Sequence, residues 1–112
     1  MRYLSIFLAV CLYVTNVNAA QYIKEGTIHR LGAIDSRQDA DFVILNGFTE
    51  AGSCPLSGGL VVGRFHSGDN GSRSFAIALA AKMAGKSITL VVNDSDKNSN
   101  GSCYVHSVAI SE

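Results

Sequence analysis

Tryptophan is absent from this 112-residue chain, proline occurs once, and neither sign of charge is in excess. A nucleic-acid backbone is held by several Lys and Arg gathered on one face, and a chain of zero formal net charge has no such stripe. Nor is there a run of 18 or more apolar residues, so no bilayer-spanning helix is written into it. HExxH, GxSxG, SxxK, CxxC and a phosphate-cradling glycine loop are all missing. With them go the common signatures of zinc hydrolysis, serine acyl transfer, dithiol exchange and nucleotide binding. No nucleophile and base pair can be named, and the sequence predicts a non-catalytic protein with no cofactor and no metal.

What is present begins with MRYLSIFLAVCLYVTNVNAA. One early charge at Arg2, an apolar run from Tyr3 to Val14 and a small-residue exit at Val17, Asn18 and Ala19 are the layout of a secretory signal peptide. The expectation is a leader over 1–19 and a single exported domain over 20–112, either secreted or periplasmic. Without Arg2, nine basic residues become eight against nine acidic ones, so the domain stays nearly neutral.

Removal of the leader also removes Cys11 and leaves two cysteines, Cys54 and Cys103. In an oxidising compartment such a pair reads first as one disulfide, and small secreted domains often need that staple. A reactive thiol or a metal pair is the alternative, disfavoured by the missing CxxC and by the lack of a neighbouring histidine in sequence.

A mix of β-branched and polar residues over 26–35, a dense apolar run over 41–48 and the segment LVVGRF over 60–65 predict three strands, the last with Gly63 suggesting a bulge or bend. The loop TEAGSCPLSGG lies between the second and third. The period then changes to 3.6. HSGDNG supplies capping residues for a helix over SRSFAIALAAKMAG, ending at Gly85. Phe75, Leu79 and Met83 form one apolar stripe flanked by Ala76 and Ala80, and Ile77, Ala78, Ala81 and Ala84 form a bland opposite side suited to a second subunit or partner. Two strands follow: Ile88, Leu90 and Val92 point inward on the first, while Tyr104, His106, Val108 and Ile110 alternate with Val105, Ser107 and Ala109 on the second. Three strands, one helix and two strands in so short a chain predict a mainly β fold, the five-stranded OB-type Greek-key barrel. In that barrel the third and fifth strands run parallel side by side, which brings Cys54 and Cys103 to the same rim.

The segment VVNDSDKNSNGSCYV sets oxygen-bearing residues at alternate positions, as a calcium loop does. Counting from Asp96, however, position 12 is Ser107 rather than glutamate, and a solvated hairpin turn pinned by Cys103 is the reading adopted. His29, His66 and His106 fall on or at the ends of different strands, where they could converge on one patch. Asp35, Arg37 and Asp39 cluster near the first turn, as a solvated turn or as donors to a polar ligand. Asn70, Asn93 and Asn100 head formal glycosylation acceptor triplets.

The leader, the phrase GTIHRLGAID with its I-x-x-L-x-x-I-D pattern from Ile28 to Asp35, the single helix followed by GKSITLVV, and the cysteine opening the last strand resemble the OB-fold B subunits of AB5 toxins, particularly the subtilase-cytotoxin B-like group. The chain also resembles uncharacterised small secreted bacterial families of the same architecture. The toxin resemblance implies a ring of five subunits that binds cell-surface glycans and carries an A subunit, with the helix face around Ile77 and Ala81 lining the ring centre. It further implies sugar contacts from side chains near the first strands and the barrel rim. Tyr22, Thr27, Asp35, Arg37 and Tyr104 are the candidates. The competing expectation is a monomeric accessory protein that contacts another protein through the barrel.

Overall fold

The computed structural model describes residues 20–34 and 37–111. The expected leader and the candidate Asp35 lie outside the described residues.

Seven strands form a mixed sheet with one α-helix against it. In chain order they are β1 (Gln21–Gly26), β2 (Ile28–Gly32), β3 (Phe42–Leu45), β4 (Leu56–Ser57), β5 (Leu60–Arg64), α1 (Asp69–Ala84), β6 (Ile88–Lys97) and β7 (Cys103–Ile110), with a short 3-10 turn at Gln38–Ala40 before β3. The pairing path runs β1, β6, β7, β5, β3, β2, with β4 folded onto β5. All neighbours are antiparallel except β5 and β7, which run parallel with Gly63 opposite Cys103 and Arg64 opposite Tyr104.

Two expectations are corrected by this path. The strand expected over 26–35 is the shorter β2, and a further strand, β1, precedes it, because the chain changes partner at Thr27: β1 pairs with β6, and β2 pairs with β3. Asn46 holds the changeover, its backbone N–H donating to the Thr27 carbonyl at 3.0 Å and its side-chain amide to Thr27 Oγ1 at 2.9 Å. The loop around Pro55 also contains a strand, β4, which turns back on β5 through Gly58 and Gly59. Five strands therefore become seven, and the ladder path is open, with β1 and β2 at its two ends.

Alternation explains where the core sits. Ile88, Leu90 and Val92 of β6, Val61 of β5, Val43 and Leu45 of β3 and Val105 of β7 meet in one buried cluster with Phe48 and Phe65. Phe42 and Ile44, the intervening residues of β3, join Val62 in a second cluster on the other face. Burial on both faces is why this strand reads as an unbroken apolar run rather than an alternation.

The helix differs from its expected orientation. Ala78 and Ala81 are fully buried, with Phe75 half-buried beside them, whereas Leu79 and Met83 are 43% and 81% exposed. A small-residue face lets the helix lie close to the sheet, and the larger side chains take the outside. Gly71, in the first turn of the helix, lies against the loop that leads into it, where an added Cβ would overlap the backbone carbonyl of His66. Gly63 of β5 is part of no bulge, but it faces the neighbouring strand so closely that a Cβ there would lie 2.7 Å from Val105 Cγ2. Gly85 ends the helix in the left-handed region, as expected. No helix among the described residues is long and apolar enough to cross a membrane.

Cys54 and Cys103 form a disulfide, with Cα atoms 5.5 Å apart and a sequence separation of 49. Both are buried against the main core. Closing a loop of that length stabilises the fold by about 4 kcal/mol on the chain-entropy model.

Candidate functional site

Side chains that leave the core on β5 and β7 share the sheet's other face. On β5, Val61 and Gly63 are buried toward the main core, so Val62 and Arg64 point away from it, and His66 follows in the same sense. On β7, inward Cys103 and Val105 leave Tyr104 and His106 outward. Two irregularities then aim the polar groups. Val91 and Val92 of β6 oppose Ser107 and Val105, so His106 is the extra residue of a bulge. Between Val92 and Lys97 the same ladder is interrupted, which frees Asp96 from regular pairing. Bulges re-aim side chains in this way, often beside functional sites.

The result is one carboxylate oxygen shared by two imidazoles. Asp96 Oδ2 lies 3.0 Å from His66 Nε2 and 2.7 Å from His106 Nε2. An ionised carboxylate only accepts, so both histidines carry a proton on Nε2 in this arrangement. The His66 ring stacks on the Tyr104 ring with centroids 3.9 Å apart and planes 20° from parallel. Burial first, then the negative charges of Asp39 and Asp96 and a hydrogen bond to Asp39, hold the Tyr104 hydroxyl above its ordinary pKa of 10.0.

Next to this cluster, β2, β3 and β5 build a shallow pocket of about 140 Å³. Phe42, Ile44 and Val62 contribute apolar surface, and Arg30, Arg64 and Ser57 contribute the polar groups. Both guanidiniums sit by the same ring, Arg30 Cζ at 5.5 Å and Arg64 Cζ at 5.4 Å from the Phe42 centroid. Arg64 is anchored by Nη1 donating to the Ala40 carbonyl. Burial and the nearby charge of Arg37 lower its pKa, and Asp39 opposes that shift. The pocket and the histidine cluster are contiguous, since Arg64 is the register partner of Tyr104.

The candidates named from sequence are thus only partly assembled. Tyr104 is in the cluster, and Arg37 lies near enough to Arg64 to influence it. Tyr22 packs against the main core, with its hydroxyl near Gly52 and Asp94, and Thr27 is engaged by Asn46. Two of the three histidines converge as the strand ends allowed, whereas none of the contacts in this cluster involves His29. Among the described residues no group of three or more His, Cys, Asp or Glu side chains is arranged to hold a metal ion. The alternating oxygens of the β6–β7 segment serve separate ends: Asp94 meets Ala20, Asp96 meets the histidines, and Asn98 Oδ1 accepts the N–H groups of Asn100 and Ser102 to shape the hairpin. Asn93 is 9% exposed, with Oδ1 accepting from the Ser95 N–H and hydroxyl, and serves the turn chemistry of the hairpin.

No motif in the sequence marks the Arg30–Phe42–Arg64 pocket. Its signal is faint: basic residues at outward positions of two strands, brought beside one phenylalanine by a strand pairing that sequence does not print.

No family model, curated protein or solved structure matches the chain.

Proposed function

We propose that this chain is an exported, non-catalytic binding module that holds a glycan on the outer face of its sheet. The observation that carries the reading is the Tyr104–His66 stack beside Asp96, His106 and Asp39. Sugars are bound through apolar ring faces set against aromatic side chains and through hydroxyls bonded to carboxylates and imidazoles, and the cluster offers both kinds of group. The architecture is read as an OB-type barrel. Support comes from β1 and β2, which end the pairing path on opposite sides yet are separated in the chain by Thr27 alone, and from the parallel β5–β7 pair. In this reading the first barrel strand is split between two partners and β4 is an addition. OB barrels bind ligands on the face of their second and third strands, here β3 and β5.

The resemblance to toxin B subunits extends the proposal to a ring assembled through the helix. Ala81 is buried in its own subunit and takes no part in that contact; the outer line available is Ile77, Leu79, Ala80 and Met83. The same exposed line favours a second reading, a monomer that docks another protein through the helix. Native mass of the exported protein before and after reduction separates the two, a pentamer supporting the ring and a monomer the accessory protein. A glycan array with the wild type and Asp96→Ala then tests the binding face. The pair interactions of Asp96 are more than one-third exposed at the carboxylate and worth about 1 kcal/mol or less to stability. The variant is therefore expected to fold normally and lose glycan signal, and no glycan signal from the wild type would remove the reading.

A further inference from the structure

Beyond the glycan reading, we propose that the pocket between Arg30 and Arg64 is a separate subsite for a carboxylate carried on a six-membered ring. Three properties converge on that ligand.

Size comes first. A cavity of about 150 Å³ lined by apolar side chains accommodates benzene, and this pocket measures about 140 Å³. That cavity is closed whereas this pocket is shallow and open to solvent, so the volume sets only the scale of the group its apolar floor can seat, about one ring.

Surface comes second. Phe42, Ile44 and Val62 form an apolar cluster on this face and also line the pocket, so a ring entering it covers apolar surface.

Charge comes third. Two guanidiniums border the pocket, and among the described residues no Asp or Glu lies within salt-bridge distance of either. A guanidinium held beside an aromatic ring keeps its donors in its own plane, where they match the two oxygens of a carboxylate. Arg64 arrives oriented, because one of its nitrogens is already committed to Ala40. Ser57 adds a hydroxyl at the rim. A neutral ring would gain the apolar contact alone, and an inorganic anion would gain the charge alone. Only the combination uses both.

The shared chemistry could come from an aromatic acid or from an acidic sugar, and the probes distinguish them. The exported protein is titrated with benzoate, benzamide, glucuronate, glucose and inorganic phosphate while amide and methyl resonances of residues 30–64 are followed by NMR. Selective shifts at Phe42, Ile44 and Val62 are expected with benzoate or glucuronate, and whichever acid binds more tightly identifies the source. Arg30→Gln, at an exposed position, is expected to weaken that binding about tenfold with resonances elsewhere unchanged. Equal response to acid and neutral analogue, or to phosphate and both acids, overturns the proposal, as does full affinity in Arg30→Gln. The glycan reading fails separately: glycan binding that depends on Asp96 but ignores benzoate leaves the module standing without this subsite, whereas benzoate binding without any glycan signal leaves the subsite alone.

Discussion

Gly71 in the first turns of α1 lies directly against the backbone carbonyl of His66, with no space between them for a side chain. This contact brings the helix entrance onto the segment that carries one imidazole of the His66–His106–Asp96 cluster, so helix packing and the cluster are linked at one glycine. Gly71→Ala must push either the helix or His66 outward. Overpacking of this kind costs about 1–3 kcal/mol, and the expected outcome is a urea midpoint lowered accordingly, with a weakened His66–Tyr104 stack visible as ring-current changes. An unchanged midpoint would show that the approach is looser than the geometry states.

The staple is open to a direct test. Reduction, or Cys54→Ser or Cys103→Ser, is expected to lower unfolding free energy by about 4 kcal/mol, because the loop it closes is long. Equal stability of oxidised and reduced protein in denaturant titrations would contradict this.

Tyr104 provides a pH signature. Its folded pKa is raised above 10.0, chiefly by burial and then by Asp39 and Asp96, so the folded protein holds the phenolic proton more tightly than the unfolded chain does. The associated stability is complete below pH 10.0 and is lost as pH climbs through the higher folded value. Only Tyr22 and Tyr104 lie in residues 20–112, so Tyr22→Phe leaves Tyr104 as the domain's one tyrosinate reporter. Asp39→Asn should move its absorbance titration down toward the ordinary value. A titration indifferent to both Asp39 and Asp96 would exclude them as its cause.

Ala20 and Asp94 meet twice, the Ala20 N–H donating to Asp94 Oδ1 at 3.3 Å and the Asp94 N–H to the Ala20 carbonyl at 3.2 Å. Cleavage after Ala19, as the leader pattern predicts, would turn that amide into an ammonium facing a carboxylate. Intact mass of the exported protein is expected to give Ala20 as the first residue. In that protein Asp94→Asn should cost about 0.5–1 kcal/mol, the range of a partly exposed ion pair, and the loss should shrink in high salt. A start well beyond Ala20, or a salt-independent effect, would defeat the pairing.

Reading along the chain recovers features with local causes, such as the β6 alternation and the helix cap, and two long-range ones that follow from the expected strand order and from having a single pair of cysteines. The β6 alternation of Ile88, Leu90 and Val92, the helix with its Gly85 cap, the parallel neighbours β5 and β7 and the Cys54–Cys103 pair are all present as expected. The helix orientation differs from expectation because periodicity ranks side chains by hydrophobicity. Packing ranked them by size: alanines went inside, and Leu79 and Met83 stayed out.

Composition, spacing and period thus determined a small β-rich domain with one helix and one covalent staple, because each depends on residues close in sequence or on the chemistry of a single residue type. Tertiary structure alone decided that the chain changes partner at Thr27, that bulges bring His66 and His106 onto one oxygen of Asp96, and that Arg30 and Arg64 share the ring of Phe42. Those relations depend on which strand pairs with which and in what register. A one-residue shift in register would turn each of these side chains to the opposite face, and nothing local to any of them records the choice.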